Sequence, residues 1–332
     1  MSAHSADEAV LHRALELASE AIGLASPNPY VGAVIADAHG NLVGTGTYTY
    51  SGVKHAEILA LEAAGSKARG GTLYINLEPH AHQGRTPPCT DALIAAGIHR
   101  VVASMPDPNP KVSGQGFEKL RAGGVHVEVG RLEEQARRLN EGFARYIRHG
   151  RPLVTLKAAM TLDGKIAPPP AEALDRYDGI PAGGWVTSEV ARAHVQELRH
   201  QNDALVFCAA HDEQKKAQLE ELGIRVETIS STDPDGRPDL AAILRRLGQL
   251  EITSVLIEGG ATVNWTALAS NVVDKVFLYY APKILAGSGS IPFAAGVGFL
   301  HMSQAAQVKH IHLHRFGEDF AVEGYVRDPY GE

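Results

Sequence analysis

Three short stretches carry side chains that could act together on a metal ion: His55-Ala56-Glu57, Pro79-His80 and Pro87-Pro88-Cys89. Two imidazoles and one sulfur are a sound donor set for zinc, and three protein donors leave the fourth tetrahedral position open for water. The metal lowers the pKa of that water, so that hydroxide can attack a ring carbon bearing an amine. Glu57 would be the carboxylate that stays off the metal and moves the proton to the departing ammonia. A lone His-x-Glu is common, and a lone cysteine is more often a small buried apolar residue. The three stretches together, in this order and separated by strand, loop and helix, point to a zinc site.

The elements around these residues should bring them together. Helical spacing of apolar residues over 7–24 is broken by Ser26-Pro27-Asn28-Pro29. Strands over 31–36 and 42–48 form a hairpin around the turn at 37–41. A helix over 55–64, a strand over 72–77, a helix over 89–96 and a strand over 100–104 follow. Then come a helix over 117–122, a strand over 125–129 and one long helix over 133–149. His55 and Cys89 both begin helices, whose partial positive charge favours a thiolate at Cys89. Thr86 is the expected N-cap, with Pro87-Pro88 in the first turn. Alternating strands and helices after a hairpin indicate a three-layer α/β domain.

Gly150 followed by Pro152 suits a linker, which divides the chain into domains 1–149 and 150–332. The second is again α/β: strand 153–159, helix 188–200, strand 204–208, helix 213–222, helix 240–250, strand 254–257, helix 263–269 and strand 275–280. Strands 310–316 and 319–325 form a closing hairpin turned at Gly317-Glu318.

Composition narrows the function. The 332 residues suit two domains, and the net charge of −7 argues against a dedicated nucleic-acid binder. Cys89 and Cys208 fall in different domains, so a reducing, cytoplasmic setting is expected. No apolar run is long enough to span a membrane. His310, His312 and His314 alternate on one strand face; a solvated or partner-facing edge is a better reading of them than a metal site. Cys208 reads as core, Arg245-Arg246 as a solvated helix face and 243–250 as core packing.

At this point the residues resemble a known family. Ser26-Pro27-Asn28-Pro29-Tyr30-Val31-Gly32, the run from Leu77-Glu78-Pro79-His80 through Gly84-Arg85-Thr86-Pro87-Pro88-Cys89, and Asp107-Pro108-Asn109-Pro110 are similar to the bifunctional RibD proteins of riboflavin biosynthesis. So are Lys157–Lys165, Trp185-Val186-Thr187, Glu258-Gly259-Gly260 and Ala281-Pro282-Lys283. The resemblance covers nearly the whole chain. It implies a cytidine-deaminase-like α/β/α domain that deaminates 2,5-diamino-6-(5-phosphoribosylamino)pyrimidin-4-one. It also implies a dihydrofolate-reductase-like α/β domain that reduces the product ribose to ribityl with NADPH. Its partner would be that phosphoribosylated pyrimidine, with no nucleic acid and no membrane, and the expected assembly is a homo-oligomer.

Carried onto this chain, the resemblance makes His55, His80 and Cys89 the zinc ligands and Glu57 the proton shuttle. Asn28, Tyr48, His82, Arg85, Asp107 and Asn109 match substrate positions, with Arg85 suited to phosphate. Asp107 and Asn109 would form a turn in any case. Lys157, Met160, Thr161, Asp163, Gly183, Trp185 and Arg199 match the reductase site. Glu258, Gly259, Gly260, Ala261 and Thr262 form a strand-to-helix turn that suits a cofactor phosphate. The chain departs from the family pattern in three places. His80 stands for a Cys and Tyr48 for a His. The segment after 208 lacks the family's Gly-x-x-Thr and Asp-Pro-x-Leu-Thr-x-Arg residues, Gly183 replaces a Ser, and the insert at 168–181 has no counterpart. A deaminase with an inactive second domain, a non-catalytic scaffold and a nucleic-acid-editing deaminase are the alternatives.

Overall fold

The computed structural model describes residues 3–84, 86–169, 186–197, 205–210, 213–231 and 236–331. It divides into two compact units: Met1–Gly150 with Glu251–Thr253, and Arg151–Leu250 with Ser254–Glu332. None of the described helices is long and apolar enough to cross a membrane.

The first unit runs α1 (Ala3–Ser19), β1 (Gly32–Ala36), β2 (Leu42–Thr47), α2 (Ala56–Ala64), β3 (Thr72–Ile75), α3 (Cys89–Ala96), β4 (Arg100–Ala103), α4 (Gln115–Ala122), β5 (His126–Val129), α5 (Glu133–Leu139) and α6 (Glu141–His149). The strands form one sheet in the order β2-β1-β3-β4-β5. β1 is antiparallel to β2 and β3, and the β3-β4-β5 ladder is parallel. All five residues of β1 are buried, as expected of a central strand covered on both faces. Val34 and Ala36 pack with Leu11, Ala14 and Leu17 of α1. On the other face, Gly44 and Gly46 of β2 lie opposite Ile35 and Ala33. A Cβ at Gly46 would come within 2.1 Å of the Ala56 carbonyl oxygen, and one at Gly44 within 2.2 Å of that of Ala60. Glycine at these two positions therefore lets the start of α2, and with it His55 and Glu57, sit directly on the sheet.

The single helix expected over 133–149 is two helices. Asn140, fully buried, separates α5 from α6. Its Oδ1 accepts the Tyr30 N–H at 2.8 Å and its Nδ2 donates to the Tyr30 carbonyl at 3.1 Å. The break costs helix continuity, but it ties α6 to the loop that carries Asn28.

The second unit contains β6 (Leu153–Thr161), β7 (Lys165–Ala167), α7 (Glu189–Glu197), β8 (Leu205–Cys208), α8 (Glu213–Glu221), β9 (Arg225–Thr228), α9 (Leu240–Gln249), β10 (Ser254–Ile257), α10 (Ala261–Ala269), β11 (Lys275–Ala281), β12 (Ile291–Pro292), β13 (Lys309–Phe316) and β14 (Asp319–Tyr325). Its main sheet has the order β10-β6-β11-β14-β13. β10, β6 and β11 are parallel, and β14 and β13 add antiparallel strands at one edge. Val154 and Leu156 pack with Leu244, Ala267 and Val276 on one face, and Phe277, Tyr279 and Ala321 pack with Ala191 and Val195 on the other. The closing hairpin forms around Gly317, at φ 65°. β8 and β9 pair in parallel as a separate ladder. Strand β9 was not expected, because Arg-Val-Glu-Thr is too short and polar to stand out; Arg246 grips its Glu227 at 2.6 Å. Cys208 is half-buried and not core.

Candidate active sites

In the first unit, His55 is the N-cap of α2, with extended backbone (φ −69°, ψ 155°) and a side chain that caps nothing. Its Nδ1 lies instead 3.2 Å from Cys89 Sγ. Cys89 is the first residue of α3, and His80 Nδ1 lies 3.3 Å from the same sulfur. The three donor atoms lie within 4.8 Å of one another. A tetrahedral zinc centre separates nitrogen from sulfur by roughly 3.6 Å, given its usual bond lengths. The spacing and the donor types therefore fit one shared zinc ion. Among the described residues no other group of His, Cys, Asp or Glu has this geometry. His312 and His314 stay on the edge strand with His310, which lies at a register shift. His314 is bonded to Glu323 at 2.7 Å.

Burial pushes His80 down to about 4, which keeps its imidazole neutral. Burial also pushes the Cys89 thiol up, and the Glu57 carboxylate adds to the rise. A cation beside the sulfur favours its thiolate form against this rise. Glu57, only 3% exposed, is hydrogen-bonded to Cys89, and burial raises its carboxyl above the ordinary range. Thr86 is not the N-cap of α3, because Pro88 holds that position. The Thr86 hydroxyl lies 3.2 Å from His55 Nε2 instead. A partner on the far ring nitrogen fixes which nitrogen faces a metal.

These groups border a cavity of about 290 Å³, a size suited to a small molecule. Asn28, Tyr48, His82, Asp107 and Asn109 all line it, together with His55, Glu57 and His80. Arg85 lies outside the described residues. Asn28 Nδ2 donates to the Tyr48 hydroxyl at 2.6 Å, which leaves the Asn28 amide oxygen for a ligand. Burial pushes the Asp107 carboxyl up to about 6, against the N–H that Asn109 donates at 2.8 Å. Two contributors escape sequence reading. Phe143 and Ile147 of α6 form an apolar wall; their i, i+4 spacing lies within the helix expected over 133–149, but neither was singled out. Glu78, 5% exposed, accepts three backbone N–H groups from the 107–116 segment; nothing in its local sequence foretells that distant partner.

In the second unit, Lys157 of β6 and Glu258 after β10 pair at 3.1 Å. Both line a cavity of about 380 Å³ with Gly259, Thr187 and Arg192. Arg192 was not singled out from sequence. Gly260 is the N-cap of α10, with Ala261 and Thr262 in its first turn. A Cβ at Gly260 would meet no atom within 4 Å, whereas one at Gly259 would strike Val263 at 2.4 Å. Gly259 thus closes the turn, and Gly260 leaves open space at the N-terminus of α10. Met160 and Thr161 are buried and do not line the cavity. Thr161 Oγ1 donates to Asp163 at 2.6 Å, and Asp163 accepts the N–H groups of Leu285 and Ala286 at 3.2 and 2.7 Å. These two polar side chains are engaged in holding a loop. Gly183, Trp185 and Arg199 lie outside the described residues.

Both halves of the chain match known proteins. Residues 4–105 match the family model of the cytidine and deoxycytidylate deaminase zinc-binding region, and residues 205–322 match the RibD C-terminal domain. The chain is 36% identical over 365 residues to the riboflavin biosynthesis protein RibD of Synechocystis, covering 96% of each chain. It is 34% identical to RibD of Escherichia coli over 369 residues, covering 94% of this chain and 97% of that one. Among solved structures, Acinetobacter baumannii RibD superposes with a TM-score of 0.78 at 29% identity. A Thermotoga maritima protein described as a diaminohydroxyphosphoribosylaminopyrimidine deaminase/5-amino-6-(5-phosphoribosylamino)uracil reductase does so at 0.76 and 34%. Each covers 97% of this chain and is itself covered over 99% of its length. With this identity sustained over both units, the chain belongs to the RibD family of bifunctional riboflavin biosynthesis proteins.

Proposed function

We propose that this chain removes the exocyclic amine from 2,5-diamino-6-(5-phosphoribosylamino)pyrimidin-4-one in its first unit and, with NADPH, reduces the ribose of the product in its second. The observation that carries the reading is the convergence of His55, His80 and Cys89 beside the buried Glu57 on a cavity of small-molecule size. When bound there, zinc supplies the Lewis acid that activates water at neutral pH. His55, His80 and Cys89 would hold it, with Thr86 fixing the His55 ring. Glu57 takes a proton from the attacking water and delivers it to the leaving amine. Its raised pKa suits both halves of that transfer. Asn28, His82, Asp107 and Asn109 orient the pyrimidine, with Tyr48 bracing Asn28. Arg85 would take the phosphate.

NADPH supplies the hydride for the second reaction. The Gly259-Gly260 turn and the N-terminus of α10 would seat a cofactor phosphate, and Lys157, held by Glu258, would face the substrate. Two unpaired cysteines in separate units suit a reducing, cytoplasmic compartment. The deciding experiment is incubation of zinc-loaded protein with the diaminopyrimidine phosphate, with and without NADPH, followed by mass analysis. The expected products are the ribityl derivative with NADPH and the deaminated compound alone without it. Absence of ammonia release would overturn the first assignment, and an unreduced ribose the second.

A further inference from the structure

The carboxylate of Glu78 is buried two residues before His80, yet its partners are all main-chain groups of a distant segment. Oε2 accepts the N–H of Asp107 at 2.9 Å and of Gly114 at 2.8 Å, and Oε1 accepts the N–H of Gly116 at 2.7 Å. A buried carboxylate is costly unless its oxygens are satisfied, and here both ends of the 107–116 segment satisfy them. Gly114 is the N-cap of α4, in left-handed conformation at φ 86°. A Cβ at Gly116 would come within 2.0 Å of the Pro79 carbonyl oxygen, so the first turn of α4 is pressed against the 78–79 backbone. The held segment lines the cavity through Asp107, Asn109 and Val112. One side chain thus joins the loop that carries a metal-ligating residue to the segment that faces the substrate.

We propose that Glu78 is a positioning residue for substrate capture: its carboxylate staples the 107–116 segment so that Asp107 and Asn109 meet the pyrimidine. This rests on the deaminase reading above. In Glu78→Gln, one oxygen becomes an NH₂ that opposes the N–H groups it used to accept. With the staple weakened, KM for the diaminopyrimidine phosphate should rise about tenfold. Zinc content per chain and kcat should stay unchanged, since the loss falls on binding. In an Asn109→Ala background the same substitution should raise KM by less than it does alone, because part of its effect passes through Asn109; a purely structural role would add its penalty in full. An unchanged KM, a fall in kcat alone, loss of zinc, or full additivity with Asn109→Ala would each overturn the proposal. If Glu78→Gln shows no cooperative unfolding, Glu78→Asp, which keeps the charge and loses reach, is read by the same criteria. Wild-type protein that releases no ammonia would sink the deaminase reading itself, and this inference with it.

Discussion

Glu57 and Cys89 share one buried space, and the chemistry of each depends on the other. Burial raises the Cys89 thiol's pKa and the Glu57 carboxylate adds to the rise; in the proposed reaction Glu57 moves the protons. Glu57→Gln should therefore lower the ammonia-release kcat by roughly 10²–10⁴-fold, the usual worth of a general acid–base group. Zinc content, measured by elemental analysis, should be retained. Thr86→Val removes the partner of His55 Nε2 and should weaken zinc binding by roughly 10–100-fold, the typical effect of losing an orienting partner. A competition titration against a chelator measures this. His55, Glu57 and Cys89 were legible because their chemistry is local: a ligand and a carboxylate at the start of one helix, a thiol at the start of another. The place of Thr86 was not, since its hydroxyl meets a ring that only the fold brings near.

The helices and strands that carry these groups depend on close approach and on buried polar ties. Gly46→Ala would drive a Cβ into the Ala56 carbonyl. It should cost about 1–3 kcal/mol of stability, as overpacking does, and reduce bound zinc as well, because the start of α2 is displaced; urea unfolding with metal analysis tests both. On the opposite face, Asp7 of α1 accepts from both Arg100 nitrogens at 3.0 and 2.7 Å and from the Tyr74 hydroxyl at 2.7 Å. The Arg100 hydrogen bonds hold its carboxyl below the ordinary range. Stability from this pairing is complete above the unfolded value of about 4 and is lost as pH falls through the lower folded value. Asp7→Asn should thus destabilise by about 2 kcal/mol at pH 7, and the gap from wild type should shrink below about pH 4. Unfolding curves at the two pH values decide. The period of apolar residues foretold most of these elements. It did not foretell the break at Asn140, whose amide answers to the Tyr30 backbone 110 positions away, nor β9, whose alternation is too short to register.

For the whole chain, each unit has its own core and its own cavity. Zinc removal by a chelator should abolish ammonia release while NADPH-dependent reduction of the preformed deaminated compound continues, followed as loss of NADPH absorbance. Loss of both activities together would show that the metal serves more than the first unit. By itself the sequence pointed to most of the strands and helices, to the three residues His55, His80 and Cys89 that the fold brings together, and to the kinship of both halves. These depend on residue types at short spacing, where the chain's own geometry limits the outcomes. Only the tertiary structure decided how the carboxylates are spent: Glu78 and Asp163 on main-chain N–H groups of remote loops, Asp7 on Arg100, and Glu57 on the buried sulfur. A carboxylate's partner is whichever donor the fold leaves beside it, and no spacing along the chain encodes that neighbour.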